Sequence, residues 1–300
     1  MRYFVAARED RTLDTSARAA LRGEFLQCRD GITHYELTGP PGGELVVLVG
    51  GLTIPLFYWD RFAAQLHARG FRTLSYSGYG RGYSDRVEAT YDEALFLRQL
   101  TDLIEGLGLR DEPHHLLGTS MGALVAMAHA EQHQHRIGSL TLVGPAGLAT
   151  KPPAGTALLR RERLATLVAK RLGGRLLEGH LSHNVLDPEQ GRELTAMVSE
   201  CYRYEGSLYS FFATIADFPL TARRDLYRRT SHSPVPTMLV WGDEDRVTPI
   251  KDFDEVCTLL APDLAHVITH CGHMASYEQP ELVAQHFASF VEKTERKVVQ

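Results

Sequence analysis

Apolar residues recur along this chain in two rhythms. Leu45-Val46-Val47-Leu48-Val49, Leu140-Thr141-Leu142-Val143 and Thr237-Met238-Leu239-Val240-Trp241 are short continuous runs rich in β-branched residues, the pattern of strands covered on both faces of a sheet. Residues 32–37 alternate with a period near two instead, as a half-exposed strand does. Shorter runs at 71–76, 115–117 and 265–269 complete the strand set. Between them, residues 58–69, 93–107, 252–260 and 280–293 carry apolar positions at helical spacing, and Gly70 supplies a C-terminal stop for the first. Strands alternating with helices predict a mostly parallel, doubly wound α/β sheet.

That alternation breaks between residues 148 and 232. No strand pattern occurs there; the spacing predicts helices around 158–172, 189–204 and 208–216, with Gly173-Gly174 and Pro188 as punctuation. Because the strand–helix rhythm then resumes, residues 1–147 and 233–300 read as one core and 148–232 as an inserted helical cap. The insert gathers Tyr202, Tyr204, Tyr209, Phe211, Phe212 and Phe218. About half of these are expected in the insert's own core and the rest facing a pocket.

Composition narrows the function classes. With 44% hydrophobic and 23% charged residues the chain can bury a full core, and a formal charge of −5, mixed along its length, gives no support for nucleic-acid or anionic-membrane binding. The pairs Arg160-Arg161, Arg223-Arg224 and Arg228-Arg229 read as solvated helix faces. No apolar run approaches the ~18 residues of a membrane span and the first ten residues are too charged for a signal peptide, so the expected place is the cytoplasm. Cys28, Cys201, Cys257 and Cys271 lack paired spacing, which predicts free thiols. Clusters such as His114-His115, His133-x-His135 and His180-x-x-His183 lack metal-ligand geometry, and no metal or cofactor is expected. The glycine-rich stretch 77–85 has neither a dinucleotide fingerprint nor a P-loop lysine and reads as a tight connection.

The chemistry centres on Gly118-Thr119-Ser120-Met121-Gly122. An apolar strand precedes this G-x-S-x-G pentad, and small apolar residues at helical spacing follow it, so a serine stands at the apex of a sharp strand-to-helix turn. Such a hydroxyl needs a base and a group to orient the base. Candidates follow two later strands: Asp243, Glu244 and Asp245 after Trp241-Gly242, and His270 or His273 around Cys271-Gly272. His273 is favoured, since it follows a glycine in a loop able to reach back to the serine.

Together these motifs resemble the α/β-hydrolase family, whose triad runs Ser, Asp/Glu, His along the chain. Its elbow corresponds to residues 118–122, its W-G-x-x-D-x-x-x-P loop to Trp241 through Pro249, and its G-H-x-x-x-x-E-x-P ending to Gly272-His273 through Glu278 and Pro280. The resemblance implies a triad of Ser120, Asp245 and His273, with oxyanion donors from the backbone N–H groups of Met121 and Leu52, the latter admitted by the small Gly51. Where many relatives have His-Gly and an aspartate supporting the oxyanion loop, this chain has Gly50-Gly51 and Ser77. Phe57, Tyr58, Trp59, Phe211, Phe212 and Met274 are expected to line an apolar pocket for a small-molecule substrate. The implied activity is hydrolysis of an ester, thioester or lactone through an acyl-enzyme. The same triad also serves C–C bond hydrolases and biosynthetic lyases or cyclases, and a ligand receptor on this scaffold is a further class.

Overall fold

The computed structural model describes residues 1–150, 162–181 and 183–298. Eight strands form one sheet in the order β1-β2-β4-β3-β5-β6-β7-β8. They are β1 (Glu24–Gln27), β2 (Ile32–Thr38), β3 (Leu45–Val49), β4 (Arg72–Tyr76), β5 (His114–Thr119), β6 (Ile137–Val143), β7 (Thr237–Gly242) and β8 (Leu264–Ile268). β1 and β2 pair antiparallel, as do β2 and β4; every other pairing is parallel. All five residues of β3 are buried, because β4 and β5 flank it and helices cover both faces.

The helices described are α1 (Thr15–Ala19), α2 (Asp60–His67), α3 (Glu93–Gly106), α4 (Met121–His133), α5 (Glu162–Leu181), α6 (Pro188–Cys201), α7 (Ser207–Asp217), α8 (Arg224–Ser231), α9 (Phe253–Leu260), α10 (Ala275–Glu278) and α11 (Pro280–Val298). α4 is buried at every position from Met121 to Ala130, which explains its lack of a polar face. The chain leaves β3 toward β4 on one side and returns to β5 on the other. The loops that follow β3 and β5 therefore open side by side at the carboxyl end of the sheet, the switch point where α/β folds place their sites.

Two sequence expectations change, at Gly173-Gly174 and at Arg223, and one strand is added. The first thirty residues hold α1 and the edge strand β1, whose EFLQ sequence has no alternation of its own. Gly173 and Gly174 do not punctuate; both lie inside α5, where the absence of side chains lets Phe212 and Leu208 pack against Gly173 and Arg8 against Gly174. Arg223 is not solvated: it is buried and paired with Glu93 at 2.5 Å. The remaining arginines of those pairs are on the surface, apart from Arg160-Arg161, which fall outside the described residues along with the start of the helix expected at 158. On the insert side of the expected 232/233 boundary, α8 packs on α4 and α9, and its Tyr227 hydroxyl donates to the Ala146 carbonyl at 2.5 Å.

Glu9 ties the N-terminal segment to the insert. Its carboxylate accepts from the N–H groups of Ala6 at 2.6 Å, Leu208 at 2.6 Å and Gly206 at 3.2 Å, thereby capping α7. Among the described residues, no helix is long and apolar enough to cross a membrane.

Candidate active site

Ser120 sits between β5 and α4 with φ 54° and ψ −120°, a backbone state that costs a non-glycine residue roughly 1–3 kcal/mol. The surroundings hold it there: its N–H donates to the Val143 carbonyl at 3.0 Å and its carbonyl accepts from the N–H groups of Ala123 at 3.1 Å and Ala146 at 3.2 Å. Both elbow glycines are sterically required. A Cβ on Gly118 would lie 2.6 Å from the Gly122 carbonyl oxygen, and one on Gly122 would collide with the Val49 carbonyl. From the neighbouring loop, Gly51 brings its backbone against the serine; a Cβ there would be 3.3 Å from Ser120 Cβ.

Two strands along the sheet, the loop after β7 carries the acid. Asp245 is 4% exposed, and its Oδ1 accepts from the N–H groups of Val247 at 2.8 Å and Thr248 at 2.9 Å. Oδ2 accepts from Thr248 Oγ1 at 2.7 Å and from His273 Nδ1 at 2.8 Å. Four donors leave the carboxylate one orientation. The indole of Trp241 donates to the Thr248 carbonyl at 2.8 Å and so pins the far end of this loop. Asp243 accepts from the Cys271 N–H at 3.2 Å, whereas Glu244 faces the exposed His270 at 3.7 Å; neither reaches His273.

His273 is 2% exposed and is held from two directions. Its N–H donates to the carbonyl of Asn184 in the insert at 3.0 Å, as does that of Met274 at 3.2 Å. Glu278 accepts from Gly272 N–H at 3.1 Å, Met274 N–H at 3.2 Å and Leu186 N–H at 2.9 Å, stitching the histidine loop to the insert. With Nδ1–H given to Asp245, Nε2 is the nitrogen left to accept a proton. No hydrogen bond joins it to Ser120 Oγ among the described residues; such contacts are commonly long in ligand-free enzymes and tighten around substrate.

The loop after β3 lacks the usual histidine and aspartate but keeps a hydrogen-bonded support. His34 Nε2 pairs with the Arg22 carbonyl at 2.8 Å, so its Nδ1 is free to accept from Ser77 Oγ at 3.2 Å. Ser77 Oγ in turn accepts from the Leu56 N–H at 3.0 Å. The Leu52 N–H donates to no acceptor among the described residues and is available to a ligand.

The residues expected in the pocket divide. Phe57 turns toward His34 and Tyr83 beneath the Arg22 guanidinium. Tyr58 is fully buried and stacks on Tyr277 at 5.5 Å, and Trp59 is spent in the core against Phe62. On α7, Phe212 packs on Gly173, while Phe211 lies beside His180 at 6.1 Å. Met274 is buried directly after His273. Thr248, His34, Asn184 and Glu278 were not singled out as functional positions from sequence; Glu278 alone had a signal, its place in the G-H-x-x-x-x-E-x-P ending. Among the described residues, no three His, Cys, Asp or Glu side chains could hold a metal ion.

Burial pushes His34 and His180 down to about 4 and His129 to about 3. These folded-state values lie below the unfolded one near 6.5, so the stability they carry is present above pH 6.5 and is lost as pH falls toward 4. Each histidine adds a slope of up to about 1.4 kcal/mol per pH unit. Urea midpoints should therefore be level between pH 7 and 8 and fall steeply from pH 6 to 4.5. A midpoint that stays constant down to pH 5 would contradict these burials.

The model of the Alpha/beta hydrolase family matches residues 46–286. The chain belongs to this family. Curated relatives of the enzyme include the 2-hydroxy-6-oxononadienedioate/2-hydroxy-6-oxononatrienedioate hydrolase of Paraburkholderia phymatum, 27% identical over 270 residues, covering 86% of this chain and 90% of the relative. Among solved structures, a thermophilic esterase from Thermogutta terrifontis superposes with a TM-score of 0.76 at 21% identity, covering 91% of this chain and 99% of the esterase. The enol-lactonase from Burkholderia xenovorans superposes at 0.74 with 18% identity, covering 90% and 100%. The hydrolase fold is thus shared with enzymes that cut different bonds, and the choice among them belongs to the site.

Proposed function

We propose that this hydrolase cleaves an ester, thioester or lactone of a largely apolar small molecule, with Ser120 as nucleophile, His273 as general base and then acid, and Asp245 orienting the imidazole. The observation that carries the reading is the Asp245–His273 bond at 2.8 Å, buried at the sheet edge where the strained Ser120 turn also opens. Ser120 attacks the carbonyl as His273 Nε2 takes its proton, and the N–H groups of Met121 and Leu52 receive the negative charge on oxygen. Collapse expels the leaving group, which His273 protonates. Water activated by the same imidazole then releases the acid and restores Ser120. Helices α5 to α7 act as the cap over this edge.

An apolar, uncharged acyl group fits the cationic side chains nearby. Arg81, which holds the Leu52 carbonyl, is committed to two backbone carbonyls and the Thr214 hydroxyl, and burial holds His180 neutral. A second reading, hydrolysis of a C–C bond in a vinylogous diketone, is favoured by the name of the Paraburkholderia relative. It uses the same triad, but its substrate carries carboxylates. A panel of p-nitrophenyl esters of increasing chain length should show turnover above that of a 2-hydroxy-6-oxo-dienoate by at least about tenfold in kcat/KM. The reverse ranking would transfer the assignment to C–C hydrolysis.

A further inference from the structure

Arg81 has no part in the steps above, yet it is a charged side chain only 1% exposed and no carboxylate among the described residues pairs with it. Burying such a charge costs several kcal/mol unless acceptors surround it. Its guanidinium instead spans three segments. Nη1 donates to the carbonyl of Tyr79 in its own loop at 2.6 Å, Nε to the carbonyl of Leu52 at 2.7 Å, and Nη2 to Thr214 Oγ1 on α7 at 2.9 Å. Its face lies over the Phe96 ring at 5.3 Å.

The α7 end of this bridge is itself fixed. Thr214 Oγ1 donates its proton to the Ser210 carbonyl at 2.7 Å, leaving a lone pair aimed at Arg81, and Ser210 Oγ meets the Tyr91 hydroxyl at 2.8 Å. The loop touches α7 directly as well: Gly80, at φ +83°, lies so close that a Cβ would collide with Ser210. At the other end, the carbonyl held by Arg81 belongs to the residue whose N–H faces the proposed oxyanion. Anchoring that carbonyl removes one of the torsions through which the Leu52 N–H could swing.

We propose that Arg81 is a positioning residue that couples the seating of α7 to the assembly of the oxyanion hole. With α7 seated, Thr214 completes the acceptor set of the guanidinium and Leu52 is held in its working orientation. With α7 lifted, Arg81 loses that acceptor and the loop after β3 slackens. Closure of the insert and readiness for catalysis are thereby one event. The inference rests on the proposed roles of Ser120 and the Leu52 N–H.

The test uses the full chain and the substrate, ester or dienoate, that the wild type turns over. Thr214→Val keeps the shape of the side chain and removes its acceptor; Thr214→Ser keeps the acceptor; Arg81→Lys keeps the charge and loses the fork. Two inhibitors of matched chain length complete the set: a trifluoromethyl ketone, whose adduct with a serine bears an oxyanion, and the plain methyl ketone, which stays a ground-state ligand. Thr214→Val and Arg81→Lys should lower kcat by about 10- to 100-fold and weaken the trifluoromethyl ketone by the same factor, as a slightly misplaced group does. KM and methyl-ketone affinity should hold within about twofold, and Thr214→Ser should restore wild-type values. Wild-type kcat in Thr214→Val overturns the coupling. So does an equal loss for both ketones, which marks Thr214 and Arg81 as pocket wall, or a Thr214→Ser variant as impaired as the valine. Absence of wild-type turnover on both substrates strikes the proposed function instead, and this inference with it.

Discussion

Replacing Ser120 by alanine is expected to leave at most about one part in 10⁴ of wild-type kcat, because the covalent step loses its nucleophile while the rest of the site stays in place. Alanine keeps a Cβ at φ 54°, so the backbone strain remains and stability should move by less than about 1 kcal/mol. Ser120→Gly separates strain from chemistry. Glycine adopts this conformation freely and should raise the urea-derived stability by about 1 kcal/mol or more while being equally inactive. A glycine variant no more stable than the alanine would show that the turn is not strained, and an active alanine variant would remove Ser120 from the reaction.

The second large effect is expected from Asp245→Asn, through the tautomer of His273. The two N–H groups of Val247 and Thr248 point at Oδ1. An asparagine must therefore keep its carbonyl on that side and turn its NH₂ toward His273 Nδ1. That NH₂ donates where the carboxylate accepted, so the imidazole carries its proton on Nε2 and can no longer accept one from the serine. A fall of about 10⁴-fold in kcat is expected with little change in the fold. A loss under tenfold would mean that Asp245 does not set the state of His273.

What could be read from sequence, and what could not, follows from how local each signal is. The runs 45–49, 140–143 and 237–241 announce strands because burial on both faces leaves no charged position inside them and confines the polar ones to threonine. Gly118 and Gly122 announce the elbow because backbone passes where their side chains would be. The loop beginning at Trp241 is also local: the indole that marks it is the group that bonds the Thr248 carbonyl. By contrast β1 exists only through its pairing with β2, and Gly173-Gly174 remain helical because α7 and Arg8 pack against them. The glycine pair is decided by residues distant in sequence, and β1 by a neighbouring strand whose alternation its own four residues do not share.

The same division runs through the site. Ser120, Asp245 and His273 each follow a strand, so the parallel sheet delivers their loops to one edge, and strand order does the rest. Thr248, His34 and Asn184 had no motif, since their contribution is a single hydrogen bond made after the chain has folded. Ser77 shows the reverse case. As a departure from the pattern of relatives it read as a missing support, yet its hydroxyl links His34 to the Leu56 N–H and does so without a charge. The orientations of Phe57, Tyr58 and Trp59 were equally closed to sequence, because a 3₁₀ turn from Leu56 to Trp59 sends successive side chains in different directions.

Every step proposed for the site depends on Ser120 being its activated nucleophile. Intact-protein and peptide mass spectrometry after brief exposure to a fluorophosphonate tests it most directly. One phosphonyl adduct per chain is expected, located on the peptide carrying Ser120, absent in Ser120→Ala and formed far more slowly in Asp245→Asn. Labelling that persists in Ser120→Ala, or no adduct on the wild type, would contradict it.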